Sequence, residues 1–292
     1  MGSPLYWRPI SRQGYFLALG TSLITTPWLG VAVHVALLCA LFFILYRTFR
    51  TPLRPLAAAS AAAFPLLSEP TRVLLGWPSG AEYLLAMVGV ALALHEAKAG
   101  RLLTAAAATL FALLSHEAAT LALPLVPIVM WRSGRSRRHV AIAVAVMCAV
   151  GMVVYAGHVI ASRHGAALPA SGAASLGAPL TVIGLALAAQ LNAEWLGDPM
   201  RSMLWFSYAV GAIVTLAALV KTRRTPATRT AFMIAIGGAA WFILGSAALS
   251  RVWPDWNGWR TVFPGLGLES PRRHSSVVRA SRSRSRGWRF AS

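Results

Sequence analysis

Long apolar blocks separated by short basic loops dominate this chain of 292 residues. Hydrophobic residues make up 57% of the chain and charged residues only 12%, so the blocks are too apolar for the half-polar helices and strands of a soluble domain. A helix of about 20 apolar residues crosses roughly 30 Å of hydrocarbon and satisfies its own backbone hydrogen bonds. The sequence therefore predicts an all-α protein, a polytopic transmembrane helical bundle.

The apolar blocks predict about eight membrane spans within one multi-spanning domain over residues 1–268. The predicted spans are 29–46, 55–68, 81–97, 102–115, 118–131, 139–161, 202–220 and 231–250. Residues 178–196 carry polar groups near their end and predict an amphipathic helix that lies in the membrane interface. Arginine greatly outnumbers lysine, and alanine and glycine are abundant, which is typical of a GC-rich bacterial gene. We therefore expect a multi-pass protein of a cell membrane, the bacterial inner membrane.

Basic loops predict which ends of the spans face the cytoplasm. The positive-inside rule places four clusters of Arg and Lys there, near residues 47–54, 98–101, 132–138 and 221–229. Two of these clusters flank residues 101–131, so this stretch must be a hairpin whose bend carries His116 and Glu117. Its arms have about 14 residues, roughly 21 Å of helix, so the bend is expected to lie recessed below the outer headgroups.

The His116-Glu117 pair is a candidate functional site because moving a carboxylate out of water costs several kcal/mol. Such residues usually line a cavity or a substrate path. The alternative is a short external turn in which both side chains are simply hydrated. The same topology places Asp255 and Arg260 on the outer side, within a segment that also holds three tryptophans. That segment is either an interfacial aromatic belt or a second part of a substrate site.

The formal net charge of +19 does not indicate a nucleic-acid partner, because the basic residues lie mainly in loops and near the end of the chain. Residues 269–292 are rich in Arg and Ser and predict a disordered tail, either an arm for an anionic partner or the product of truncation or a frame shift. The two cysteines lie in apolar blocks and predict neither a disulfide framework nor a metal site. We expect no cofactor, and nothing in the sequence bears on oligomeric state.

Three stretches resemble the multi-spanning GT-C glycosyltransferases, the group that includes protein O-mannosyltransferases and their TPR-bearing relatives. Tyr6-Trp7-Arg8-Pro9, followed by an apolar span with His34, is similar to their "YRP … LLLHAL" region. Leu114-Ser115-His116-Glu117 is similar to their "L-S-K-E" segment, with His116 in place of Lys. Trp259-Arg260 to Pro264 is similar to their "R-Y-x-x-P" segment, with Thr261 in place of the aromatic residue.

The resemblance implies transfer of a sugar from a polyprenyl-phosphate carrier at the outer face of the membrane. Its partners would be the lipid bilayer and the lipid-linked sugar donor. Arg260 would contact the departing phosphate in bidentate fashion, and His116, Glu117 and Asp255 would belong to the same substrate and lipid-phosphate site.

The chain departs from the family pattern in one respect. The family's catalytic acid precedes the "YRP" region, whereas this chain has no Asp or Glu before Glu69. No catalytic residue can be assigned, and we expect the chain to be a fragment that lacks a span and loop at one end and later spans at the other. The alternative function is a transporter or another non-catalytic membrane protein, in which a His-Glu pair would couple protons or ions.

Overall fold

The computed structural model describes residues 7–51, 55–163 and 178–193, together with isolated positions from 200 to 249. All elements in this part are helical, which confirms the predicted all-α class. The α-helices are α1 Tyr15–Thr25, α2 Pro27–Arg50, α3 Pro55–Leu67, α4 Glu69–Gly76, α5 Ala81–Ala99, α6 Leu102–Ser115, α7 Leu125–Arg132, α8 Arg137–Arg163 and α9 Ala178–Gln190. A π-helical turn covers Pro9–Gly14, and 3₁₀ turns cover Pro78–Gly80 and Glu117–Ala122.

Three helices in the described residues are long and apolar enough to cross a membrane: Pro27–Arg50, Pro78–Ala99 and Arg137–Arg163. The most apolar stretch of the second is 72% buried, against 28% and 17% for the first and third. Helix α5 therefore lies inside the bundle, whereas α2 and α8 present most of their apolar surface outward, as helices in contact with lipid do.

The core forms where α2 and α6 pack against α5. Its fully buried side chains include Leu41 from α2 and Leu84, Met87 and Val90 from α5. Gly89 allows α6 to approach α5 closely, since a Cβ at this position would lie 2.8 Å from the Cβ of Ala112. Small residues at helix contacts are the usual means of close packing in membranes.

The predicted hairpin over 101–131 is confirmed as a reversal of the chain. Met130 packs with Ala97 and Ala105, so α7 returns to the end of the bundle where α6 begins. The guanidinium of Arg135, just beyond α7, donates to the carbonyl of Ala99 at 2.6 Å. The second arm is less regular than predicted. It begins as the 3₁₀ turn, and α7 starts after Pro124, which has no backbone N–H for an interior helix position.

Three of the predicted cytoplasmic loops meet at one end of the bundle. Helix α5 ends at Gly100, whose φ of +80° is the left-handed conformation typical of a helix C-terminus. Lys98 donates to the carbonyl of Thr48 at 2.5 Å, which joins the ends of α5 and α2. Arg135 lies against Gly100, so the α7–α8 turn is at this end as well.

Helix α9 differs from the amphipathic helix predicted over 178–196. It ends at Gln190 and is apolar on all sides apart from Thr181 and Gln190, so it has no polar face. The polar residues at its end contact the protein instead. Asn192 accepts from the backbone N–H of Glu69 at 2.6 Å and thereby caps α4.

His34, in the apolar span of the first resembling stretch, has a structural role. Its ring is 1% exposed, and its Nε2 lies 3.1 Å from the hydroxyl of Tyr15. Its Nδ1 lies 3.3 Å from the carbonyl oxygen of Leu75. His34 therefore joins α1, α2 and α4, because a buried imidazole is favourable only when its polar atoms are hydrogen-bonded.

Candidate functional site

The site is built around Arg8, which joins two glutamates from distant parts of the chain. Its Nε donates to Oε2 of Glu117 at 2.7 Å, and its Nη2 donates to Oε1 of Glu117 at 2.5 Å. Its Nη1 donates to Oε2 of Glu82. Arg8 is only 8% exposed, so its guanidinium is largely buried between the two carboxylates to which it donates.

The π-helical turn after Arg8 brings a second arginine to the same place. Arg12 donates from Nε to Oε1 of Glu82 at 2.8 Å, so both oxygens of this buried carboxylate are bonded. Ser11 fixes the turn by donating from Oγ to the carbonyl of Ser115 at 2.5 Å. We call Arg8, Arg12, Glu82 and Glu117 the Arg8 cluster. Its two positive and two negative charges cancel, which lowers the cost of burying them.

His116 stands beside the cluster and caps the 3₁₀ turn. Its Nδ1 accepts the backbone N–H of Ala118 at 3.0 Å, and its ring centre lies 4.0 Å from that of Tyr83. Its Nδ1 also lies 3.9 Å from the nearer carboxylate oxygen of Glu117.

Glu117 is ionised over the whole physiological range. Partial burial raises the pKa of its carboxyl, but the neighbouring His116 and the hydrogen bonds and charge of Arg8 lower it further, to about 2. The Glu117 side chain is nevertheless 47% exposed, so solvent weakens its ion pair with Arg8.

The low pKa of Glu117 predicts a loss of stability in acid. A carboxyl whose folded-state pKa is about 2, below an ordinary value of 4.5, stabilises the fold fully above pH 4.5. This contribution decreases as the pH falls from 4.5 towards 2. Because the side chain is half exposed, we expect about 0.5 kcal/mol. Thermal unfolding of the wild type and of Glu117→Gln, measured across this range, should converge at low pH; a constant difference would contradict the prediction.

A cavity of about 180 Å³ adjoins Glu117 between the 3₁₀ turn, α6 and α8. The lining residues with polar side chains are Glu117, Thr120, Tyr155 and His158. Trp7 packs edge-on against His158 with ring centres 5.1 Å apart. It fits there because Gly157 has no side chain, since a Cβ at Gly157 would overlap the Trp7 ring. Trp7 and Arg8 thus fix the start of the described chain against α5, α8 and the bend.

Comparisons with protein-family models, with curated proteins and with solved structures gave no match. The assignment of the site therefore depends on its geometry. Among the residues that the structure describes, no group of three His, Cys, Asp or Glu side chains could hold a metal ion.

The structure brings together only part of the site expected from the sequence. His116 and Glu117 lie side by side at the bend of the hairpin, as predicted. Asp255 and Arg260 lie outside the described residues. Sequence reasoning missed Arg8, Arg12 and Glu82 as site residues. Only their side of the membrane could have been predicted, because the topology set by the four basic clusters places residues 1–28, with Arg8 and Arg12, on the same side as the start of α5, where Glu82 lies.

Proposed function

We propose that this chain is a membrane glycosyltransferase that uses a polyprenyl-phosphate-linked sugar at the outer face of the membrane. One observation carries the proposal. The first two stretches that resemble the GT-C enzymes lie 109 residues apart, yet they meet through the bidentate pair of Arg8 and Glu117. A chance likeness between apolar segments would not require their polar residues to be in contact.

The geometry restricts the role of Glu117 in such a reaction. A carboxylate with a pKa of about 2 is a weak base, so Glu117 is a poor candidate to deprotonate an acceptor. Its exposed oxygens can still accept hydrogen bonds from sugar hydroxyls, and Arg8 holds them in one orientation. We assign to Arg260 the contact with the leaving phosphate and to Asp255 a place in the same site.

We further propose that the bundle has about eight spans in the bacterial inner membrane, with the Arg8 cluster at the outer end. The positions of two glutamates at opposite ends of α5 support this arrangement. Glu82 and Glu96 are 14 positions apart on α5, about 21 Å along its axis. The first belongs to the Arg8 cluster, and the second lies beside the basic loops, which the positive-inside rule assigns to the cytoplasm.

The proposal is tested with the full chain in membranes and a panel of polyprenyl-monophosphate-linked hexoses and pentoses. The measurement is the release of polyprenyl phosphate. We expect Arg260→Ala to reduce release by about 100-fold or more, because it removes a donor to the charge that develops on the phosphate. Arg260→Lys should be less impaired, because it keeps the charge but loses the fork.

Arg229→Ala is the matched control, since this arginine lies in a predicted cytoplasmic loop and should leave release unchanged. No release from any donor, or equal effects of the Arg260 and Arg229 replacements, would contradict the proposal.

A transporter is the second candidate, because a largely buried cluster of four charges at one end of a helical bundle is also typical of ion-coupled transport. Solute uptake by the same membranes separates the two functions. Uptake that requires Glu117, without any release of polyprenyl phosphate, would favour the transporter.

A further inference from the structure

The cavity beside Glu117 opens towards the outward-facing surface of α8. Tyr155, which lines it, is 71% exposed, and the apolar stretch of α8 is only 17% buried. A surface of this kind faces lipid in a membrane protein. A molecule in the cavity therefore reaches it from the bilayer rather than from water.

In the proposed topology the cavity lies at the outer end of the bundle, next to the level of the lipid headgroups. Its polar wall is formed at the bend of the hairpin and near the end of α8, where Trp7 and Tyr155 lie. Tryptophan and tyrosine concentrate at this depth because one part of each ring system is apolar and the other polar. The cavity is thus placed to receive a headgroup, and its volume of about 180 Å³ suits a small one.

The acceptor atoms of the lining favour a hydrogen-bond donor such as an ammonium group. Glu117 provides the carboxylate, and neither lysine nor arginine is among the described residues that line the cavity. A carboxylate has about four sites that accept hydrogen bonds. Arg8 occupies one on each oxygen of Glu117, which leaves room for further donors. The ring of Tyr155 adds an aromatic face of the kind that stabilises ammonium groups.

We propose that this cavity binds the protonated primary amine of a phospholipid headgroup, as found in phosphatidylethanolamine. The N–H groups of the amine donate to Glu117, and the lipid phosphate points away from the carboxylate into the interface. A quaternary amine keeps the charge but has no N–H to donate, and an anionic headgroup such as that of phosphatidylglycerol carries no ammonium group. The proposal goes beyond sugar transfer and does not depend on it. Because both ligands, the lipid amine and the sugar, would use the acceptor sites of Glu117 that Arg8 leaves, they would compete for this carboxylate.

The test uses the full purified chain in detergent and contains no sugar donor. Equal amounts of phosphatidylethanolamine, its N-methyl and N,N-dimethyl forms, phosphatidylcholine and phosphatidylglycerol, all with the same acyl chains, compete for the protein. Native mass spectrometry measures which lipids remain bound. We expect the first three to be retained about tenfold over phosphatidylcholine and phosphatidylglycerol, because each keeps a charged N–H donor. Equal retention of phosphatidylethanolamine and phosphatidylcholine by the wild type would overturn the proposal.

A variant of α8 locates the lipid. Gly151 lines the cavity, and a Cβ there would lie 3.2 Å from a methyl group of Leu123, which also lines it. Gly151→Leu should therefore fill the space while leaving the Arg8–Glu117 pair itself unaltered in sequence, and should lower retention of phosphatidylethanolamine to the level of phosphatidylcholine. Met152→Leu is the control on the next residue, which is 65% exposed, and should retain the preference. A preference that survives in Gly151→Leu would show that the lipid binds elsewhere.

Discussion

Replacing Arg8 with alanine is expected to destabilise the protein by about 3–5 kcal/mol, because the change leaves a buried carboxylate with an incomplete set of partners. Glu82 is 3% exposed and would keep only Arg12 of its two arginines. Glu117 would lose both of its hydrogen bonds to Arg8. Thermal unfolding in detergent, followed by tryptophan fluorescence, measures the effect.

Two further variants make this result specific to the Arg8 cluster. Arg72→Ala removes an exposed arginine from α4, near the same end of the bundle, and should change stability by less than about 0.5 kcal/mol. Glu82→Gln combined with Arg8→Ala removes the buried charge together with its partner, so it should be less harmful than the sum of the two single changes. Two results would show that the cluster does not stabilise the fold as described: Arg8→Ala no more destabilising than Arg72→Ala, or a double variant whose loss of stability equals the sum of the Arg8→Ala and Glu82→Gln losses.

The Arg8 cluster also explains an orientation that the sequence left unexplained. The positive-inside rule disfavours arginines on the outer side, yet the predicted topology places Arg8 and Arg12 there. In the structure each of them contacts a glutamate, and the four charges of the cluster sum to zero. Two arginines already paired with carboxylates no longer count as free positive charge at that end, so the topology and the arginines are compatible.

Hydropathy and loop charge predicted much of the fold. They were sufficient for the all-α class, for α2, α5, α6 and α8, and for the reversal at His116, because these features follow from the length of apolar blocks and from where arginines fall. The sequence was less informative about the second arm of the hairpin. Its apolar residues suggested a span, but two prolines and a 3₁₀ turn shorten the α-helix to Leu125–Arg132.

The site was harder to predict than the fold because its residues are far apart in the sequence. His116 and Glu117 could be identified as an ionisable pair within an apolar stretch. Glu82 could not, because a carboxylate at the start of a predicted span is ordinarily hydrated, and nothing local shows that Arg8 lies within hydrogen-bonding distance of it. The prediction of an amphipathic helix over 178–196 failed for a related reason. Gln190 and Asn192 suggested a polar face in contact with water, whereas Gln190 is buried and Asn192, although exposed, uses its side chain to cap α4.

The second large effect is expected at Gly89, where α5 and α6 are closest. Gly89→Leu should destabilise the bundle by about 3 kcal/mol, because overpacking a closely packed contact forces side chains or backbone to move. A Cβ at Gly89 would lie 2.8 Å from the Cβ of Ala112 and 3.1 Å from the carbonyl oxygen of Ala108. The second contact is with backbone, so rotation of a side chain cannot relieve it. The measurement is the midpoint of thermal unfolding in detergent.

The same replacement at Gly184 should not destabilise the protein. This glycine lies in α9, and a Cβ added to it would have no neighbouring atom within 4 Å, so leucine meets open space there. Leucine favours a helix by up to about 1 kcal/mol over glycine, and Gly184→Leu should therefore be neutral or stabilising.

A double variant shows which contact limits the approach of the two helices. Combining Gly89→Ala with Ala112→Gly exchanges the two small residues across the contact. It should recover only part of the stability lost in Gly89→Ala alone, because the carbonyl oxygen of Ala108 still blocks the new methyl group. Full recovery would mean that the Ala112 contact alone limits the approach, and equal destabilisation at Gly89 and Gly184 would mean that glycine is required for reasons unrelated to packing.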